Sequence, residues 1–142
     1  MGQAPVLNCL MQGKNFANPV ERRLLNIKQR AYSHIREITM GTSTDTWLFA
    51  RTVIPLETLR GSANRLARID KTPIGKVLFG RLGAVRKTLQ VNQVYADDIR
   101  LAQFDIEKNF PLWQRRSIFQ LETGPLLISE VFLPNCPIYT NC

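Results

Sequence analysis

Apolar and polar residues alternate along several stretches of this chain, and alternation with period two is the mark of a half-buried strand. Ala31–Met40 (AYSHIREITM) and Trp47–Pro55 (WLFARTVIP) are rich in β-branched and aromatic residues and flank a polar turn at Gly41–Thr46, which predicts a hairpin. Trp113–Glu122 and Pro125–Leu133 predict another, joined at Thr123–Gly124. Ala4–Gln12 reads as an opening strand, Leu82–Tyr95 as a further one, and Gly13–Pro19 as a loop. Val20–Arg30 is ambiguous between a short helix and a covering loop. The period changes across Arg60–Gly80. There Ser62 is a candidate cap for a helix carrying Ala63, Leu66, Ala67 and Ile69, and Thr72–Pro73 a candidate cap and first turn for Ile74–Phe79. Ala96–Phe110, with Asp97, Asp98, Asp105 and Glu107, is expected to loop out. About six strands in neighbouring hairpins with a short helical hairpin on one side predict an α+β fold built on a single antiparallel sheet.

Three charges sit against this pattern. In the last strand Leu126, Ile128, Glu130 and Phe132 share a face, so Glu130 interrupts an apolar row. A carboxylate there either points into a pocket or pairs with a buried cation, because an isolated buried charge costs several kcal/mol. Arg36 shares a face with Tyr32, His34, Ile38 and Met40, and Arg51 with Trp47, Phe49 and Val53. A guanidinium keeps its charge when buried and grips a carboxylate with two parallel hydrogen bonds. Two arginines for one glutamate invite an anionic ligand; an Arg–Glu–Arg ion network without chemistry is the alternative. Arg115 and Arg116 point to opposite faces of one strand, Arg115 toward the core side and Arg116 toward solvent. Lys71, Lys76, Arg81, Arg86 and Lys87 form a basic belt near the helical hairpin.

Composition narrows this only partly. The 142 residues suffice for one domain, and the net charge of +8 suits anionic partners. The aromatic residues fall in strand patterns, against a nucleic-acid surface. No apolar run approaches the roughly 18 residues of a membrane span, and the N-terminus lacks the features of a signal peptide. Cys9, Cys136 and Cys142 form no CxxC pair and His34 is the one histidine, too few ligands for a zinc site. Reduced thiols and a cytoplasmic location are expected. No Ser-His-Asp order, phosphate loop or dinucleotide fingerprint occurs.

The segments WLFARTVIP, KTPIGKVLF (Lys71–Phe79), LWQRRS (Leu112–Ser117) and LLISEVFLPNCPIY (Leu127–Tyr139), with SHIREI before them, resemble in order those of bacterial chorismate lyase. The resemblance covers roughly residues 30–139. It implies an antiparallel sheet with helical flaps over a buried site, and conversion of chorismate to 4-hydroxybenzoate and pyruvate toward ubiquinone, with no metal or organic cofactor. Carried over residue by residue, it implies that Arg36 grips the product carboxylate, Ile74 supplies a backbone contact, Glu130 meets the hydroxyl end, and Arg51 is a further site residue, catalytic with Glu130. It further implies a monomer whose partner is the small molecule alone, with no nucleic acid and no membrane insertion. The family's N-terminal helices, with a Ser-Met-Thr-like segment that touches ligand, are expected to be missing from a single domain spanning 1–142, and the segment Asn92–Phe110 is longer than its family counterpart. The competing expectation is a non-catalytic effector-sensing domain of the same fold.

Overall fold

The computed structural model describes residues 5–139. The expected antiparallel sheet forms from β1 (Val6–Asn15), β2 (Ser33–Gly41), β3 (Thr46–Pro55), β4 (Val85–Val94), β5 (Leu112–Leu121) and β6 (Gly124–Phe132). Their spatial order is β1-β2-β3-β6-β5-β4. Two antiparallel meanders thus meet at β3–β6, where Ala50 faces Glu130 and Thr52 faces Ile128. β1 runs on past Gln12, because a bulge between Cys9 and Met11 lets the expected loop keep pairing as far as Asn15↔Ser33. Ala4 lies outside the described residues.

The ambiguous stretch after β1 contains a helix, α1 (Pro19–Leu25). Asn18 caps it: its side chain accepts from the Glu21 N–H, and the Glu21 carboxylate accepts from the Asn18 N–H, both at 2.9 Å. Asn26 ends it in the left-handed region at φ 55°.

Between β3 and β4 the chain crosses one face of the sheet. It makes 3₁₀ turns at Leu56–Leu59 and Gly61–Arg68, then α2 (Ile74–Gly80). The helical hairpin is therefore present, but its caps differ from those expected. Neither Ser62 nor Thr72 caps a helix, and the position before α2 is Pro73, which has no side-chain acceptor. Ala63, Leu66 and Ile69 recur every third residue, the 3₁₀ period, and all are buried. The Asp70 and Thr72 carbonyls are bound by Arg36, a tertiary contact that sets the turn.

The two faces of the sheet carry separate cores. The crossing segment buries Leu66 and Leu78 against Ile54, Phe119, Leu126 and Ile128. On the opposite face, α1 packs Leu25 onto Ile35, Val53 and Leu127. The β4–β5 connection does not loop out as expected. Its apolar residues Leu101, Phe104, Ile106 and Phe110 return onto Phe49, Leu112, Val131 and Leu133, and outweigh the acidic residues between them.

Candidate active site

Alternation puts Leu48, Ala50, Thr52 and Ile54 of β3 on the face beneath the crossing segment. The two middle side chains are small, and this leaves a cavity of about 200 Å³. Arg36 and Ile38 of β2 wall one side, and Ile128 and Glu130 of β6 with Arg115 and Phe119 of β5 wall the other. Ile74, Gly75, Leu78 and Phe79 of α2 form the roof, and Arg86 of β4 stands at the rim. Arg36 and Glu130 lie on strands flanking β3, two strand spacings or about 10 Å apart.

Arg36 is 2% exposed. Its Nη2 donates to the Asp70 carbonyl at 3.0 Å and the Thr72 carbonyl at 3.1 Å, while its Nε has no partner. Burial pushes its pKa down, partly offset by Cys9 and Asp70. Arginine starts so high that the charge survives. Neutral carbonyls orient this guanidinium without neutralising it, so a buried positive charge faces the cavity. His34, on the same face, has its pKa lowered first by burial and then by Arg36; its Nε2 lies 3.3 Å from Gln12 Oε1.

Glu130 is paired, but with neither expected arginine. Arg115 Nε donates to Glu130 Oε1 at 2.9 Å, and the contact raises the Arg115 pKa. Cross-strand register explains the choice, because Arg115 stands directly opposite Glu130. Arg36 is separated from it by β3. Arg115 also lies 6.0 Å from the Phe132 ring, and Arg86 lies over Phe119 at 5.1 Å.

Arg51 does not line this cavity, which corrects its placement beside Glu130. It occupies the other parity of β3 and points to the opposite face. There it donates to Glu21 at 2.7 and 3.0 Å and to Glu37 at 2.8 Å. Burial works against its charge, but these bonds outweigh the burial and raise its pKa. Arg51 thus ties α1 to the sheet. The structure brings together Arg36, Ile74 and Glu130, leaves Arg51 out, and adds Arg86, Arg115, Ala50 and Thr52. Only the inward direction of Arg115 was legible from alternation. Finding its partner required the β5–β6 register, and finding Arg86 required knowing which strand edges the sheet. Among the described residues no group of three or more His, Cys, Asp or Glu side chains comes together.

The fold is a six-stranded antiparallel sheet with a roofed cavity on one face. The C-terminal domain of the histidine utilization repressor from Pseudomonas syringae shares it, with a TM-score of 0.73 at 11% identity over 93% of this chain and 92% of that one. Sequence narrows the class further. The family model for chorismate lyase matches residues 6–142, and the chain belongs to that family. A chorismate pyruvate-lyase of Hamiltonella defensa is 39% identical over 121 residues, which are 85% of this chain and 59% of that protein. One of Yersinia enterocolitica is 32% identical over 96% of this chain and 70% of the relative. The chain therefore spans about three fifths to seven tenths of these relatives.

Proposed function

We propose that this protein cleaves chorismate to 4-hydroxybenzoate and pyruvate, the entry into ubiquinone synthesis. One observation carries the reading: a buried guanidinium without a carboxylate partner faces a carboxylate across a small, largely apolar cavity. That arrangement suits a flat ring with an anion at one end and a hydroxyl at the other. Arg36 binds the ring carboxylate, the Ile74 backbone lies beside it, and Glu130 meets the ring hydroxyl. The second carboxylate of chorismate, on the enolpyruvyl group, faces Arg86 or Arg115 at the open side, a role that Arg51 cannot take from the other face.

In the reaction the ring carbon–oxygen ether bond breaks and its electron pair leaves with the oxygen. The adjacent ring carbon loses its proton and the ring becomes aromatic. The released enolpyruvate takes up a proton at its methylene carbon to become pyruvate. The atoms balance without water or an oxidant. The side chains have only to orient the ring, stabilise charge on the departing oxygen and exclude solvent. We read the protein as a cytoplasmic monomer acting on free chorismate, without nucleic acid or membrane insertion; among the described residues no helix is long and apolar enough to cross a membrane.

The test is pyruvate release from chorismate by the wild type, Arg36→Gln and Glu130→Gln. Loss of turnover of 100-fold or more in each variant, with unchanged circular dichroism, is expected, because each change removes a charge-assisted contact to the reacting molecule, worth about 3 kcal/mol. Saturable chorismate binding by the wild type without pyruvate release would instead assign an effector-sensing domain.

A further inference from the structure

A second cavity, of about 300 Å³, lies on the opposite face of the sheet. Its floor is Gln114 and Arg116 of β5 with Ser129 of β6. One wall comes from α1 and the other from the β4–β5 connection, through Asp98, Ile99 and Arg100. That connection is the segment that no step of the proposed lyase reaction uses. Leu101 anchors it at 1% exposure, while Ile99 beside it is 88% exposed at the cavity rim.

The ionic groups here are paired with one exception. Glu21 is held by Arg51, and Asp98 by Arg100 at 2.6 Å. Arg100 also donates to Gln114 Oε1, and Gln114 Nε2 donates to Asn92, so Gln114 is locked in place. Arg116 has no ion pair among the described residues, and its Nε is buried without a hydrogen-bond partner. Burial, then repulsion from Arg100 and Arg23, holds its pKa down, and Glu21 offsets only part of this. Arg100 and Arg23 repel the Arg116 charge more than Glu21 attracts it, and a bound anion would relieve that repulsion. Directly across the strand pair stands Ser129, 2% exposed. Its hydroxyl can donate to the same anion.

We propose that Arg116 and Ser129 form a second binding site, on the far side of the sheet from the Arg36 cavity, for a small monocarboxylate with a short apolar body. The planar guanidinium fork matches a carboxylate in two parallel hydrogen bonds. Val20, Val94 and Ile99 supply the apolar walls. Glu21 and Asp98 on the lining disfavour a dianion. The site is built back to back with the first, since Arg116↔Ser129 and Arg115↔Glu130 are adjacent cross-strand pairs pointing to opposite faces.

The experiment is a titration of the ¹⁵N-labelled protein with 3-methylbutanoate and, separately, inorganic phosphate. Saturable shifts with the carboxylate at the amides of Ile99, Arg116 and Ser129, without matching shifts at Ile74 and Gly75, are expected. Arg116→Gln should weaken that binding by about tenfold or more, the loss of a charge-assisted contact. Ile99→Glu changes an exposed side chain, so the fold is kept; it sets a carboxylate at the rim and should weaken binding likewise. Shifts confined to the Arg36 cavity, binding indifferent to both substitutions, preferential saturation by phosphate, or no saturation at all would overturn the proposal. None of these readouts depends on chorismate turnover, so this site and the lyase reading fail separately.

Discussion

Ala50 offers the sharpest test of how the cavity arises, because enlarging it should raise stability and abolish activity together. It is 6% exposed, pairs with Ile38 on one side and Glu130 on the other, and floors the cavity with Thr52. Ala50→Leu adds about three carbon groups into a space of about 200 Å³ that the protein leaves unfilled. At about 0.8 kcal/mol per buried methylene the ceiling is about 2.4 kcal/mol, and partial openness lowers the expectation to about 1–2 kcal/mol. For a domain of this size that is a rise in Tm of about 3–8 °C. The same carbons occupy the place proposed for the substrate ring, so kcat/KM should fall at least 100-fold. Calorimetry and the pyruvate assay on one preparation measure both. If Ala50 sat in an already close-packed core, overpacking would instead cost about 1–3 kcal/mol. A lowered Tm with unchanged kcat/KM would refute the reasoning.

Arg51→Gln should behave in the opposite way. It strands Glu21, whose side chain is 4% exposed, without its cation. Breaking a buried pair costs about 3–5 kcal/mol, so denaturant midpoints should fall steeply while kcat of the folded fraction at low temperature changes less than about threefold. Arg115→Gln should lower stability by less than about 1 kcal/mol, because Arg115 in the Glu130 pair is 39% exposed. Its kcat/KM should nevertheless fall about tenfold or more, because the Arg115 Nε donates to Glu130 Oε1 and fixes where that carboxylate points. An unchanged kcat/KM would deny Arg115 that positioning role. His34 has a folded pKa below its ordinary 6.5, so the unfolded chain binds the proton more readily. The stability it contributes is whole above pH 6.5 and is lost as the pH falls toward the depressed value. The urea midpoint should therefore drop between pH 7 and pH 5, and His34→Asn should flatten that slope.

Alternation along the chain was enough to place the six strands and to sort side chains of β2, β3, β5 and β6 between two faces, because the period of two is a local property of extended backbone. It grouped Arg36 with Ile38 and Glu130 with Ile128, and separated Arg115 from Arg116. The ordered motifs did the rest for the family. Sequence alone also set the helical character of residues 60–80, but not its caps or the turn at Asp70–Thr72, whose carbonyls are bound by Arg36 reaching across from another strand.

Tertiary structure decided who pairs with whom. The alternation of β3 already set Arg51 apart from Ala50 and Thr52, but which of these two sets looks onto the cavity depends on which face the crossing segment covers. Register then gave Glu130 to Arg115, and the α1 docking gave Arg51 to Glu21 and Glu37. The β4–β5 connection, expected to loop into solvent, returned to the sheet because its scattered apolar residues meet a core that only the assembled strands provide. Pairing energies fall off within a few ångströms, and those distances are set by strand order, which no local pattern encodes.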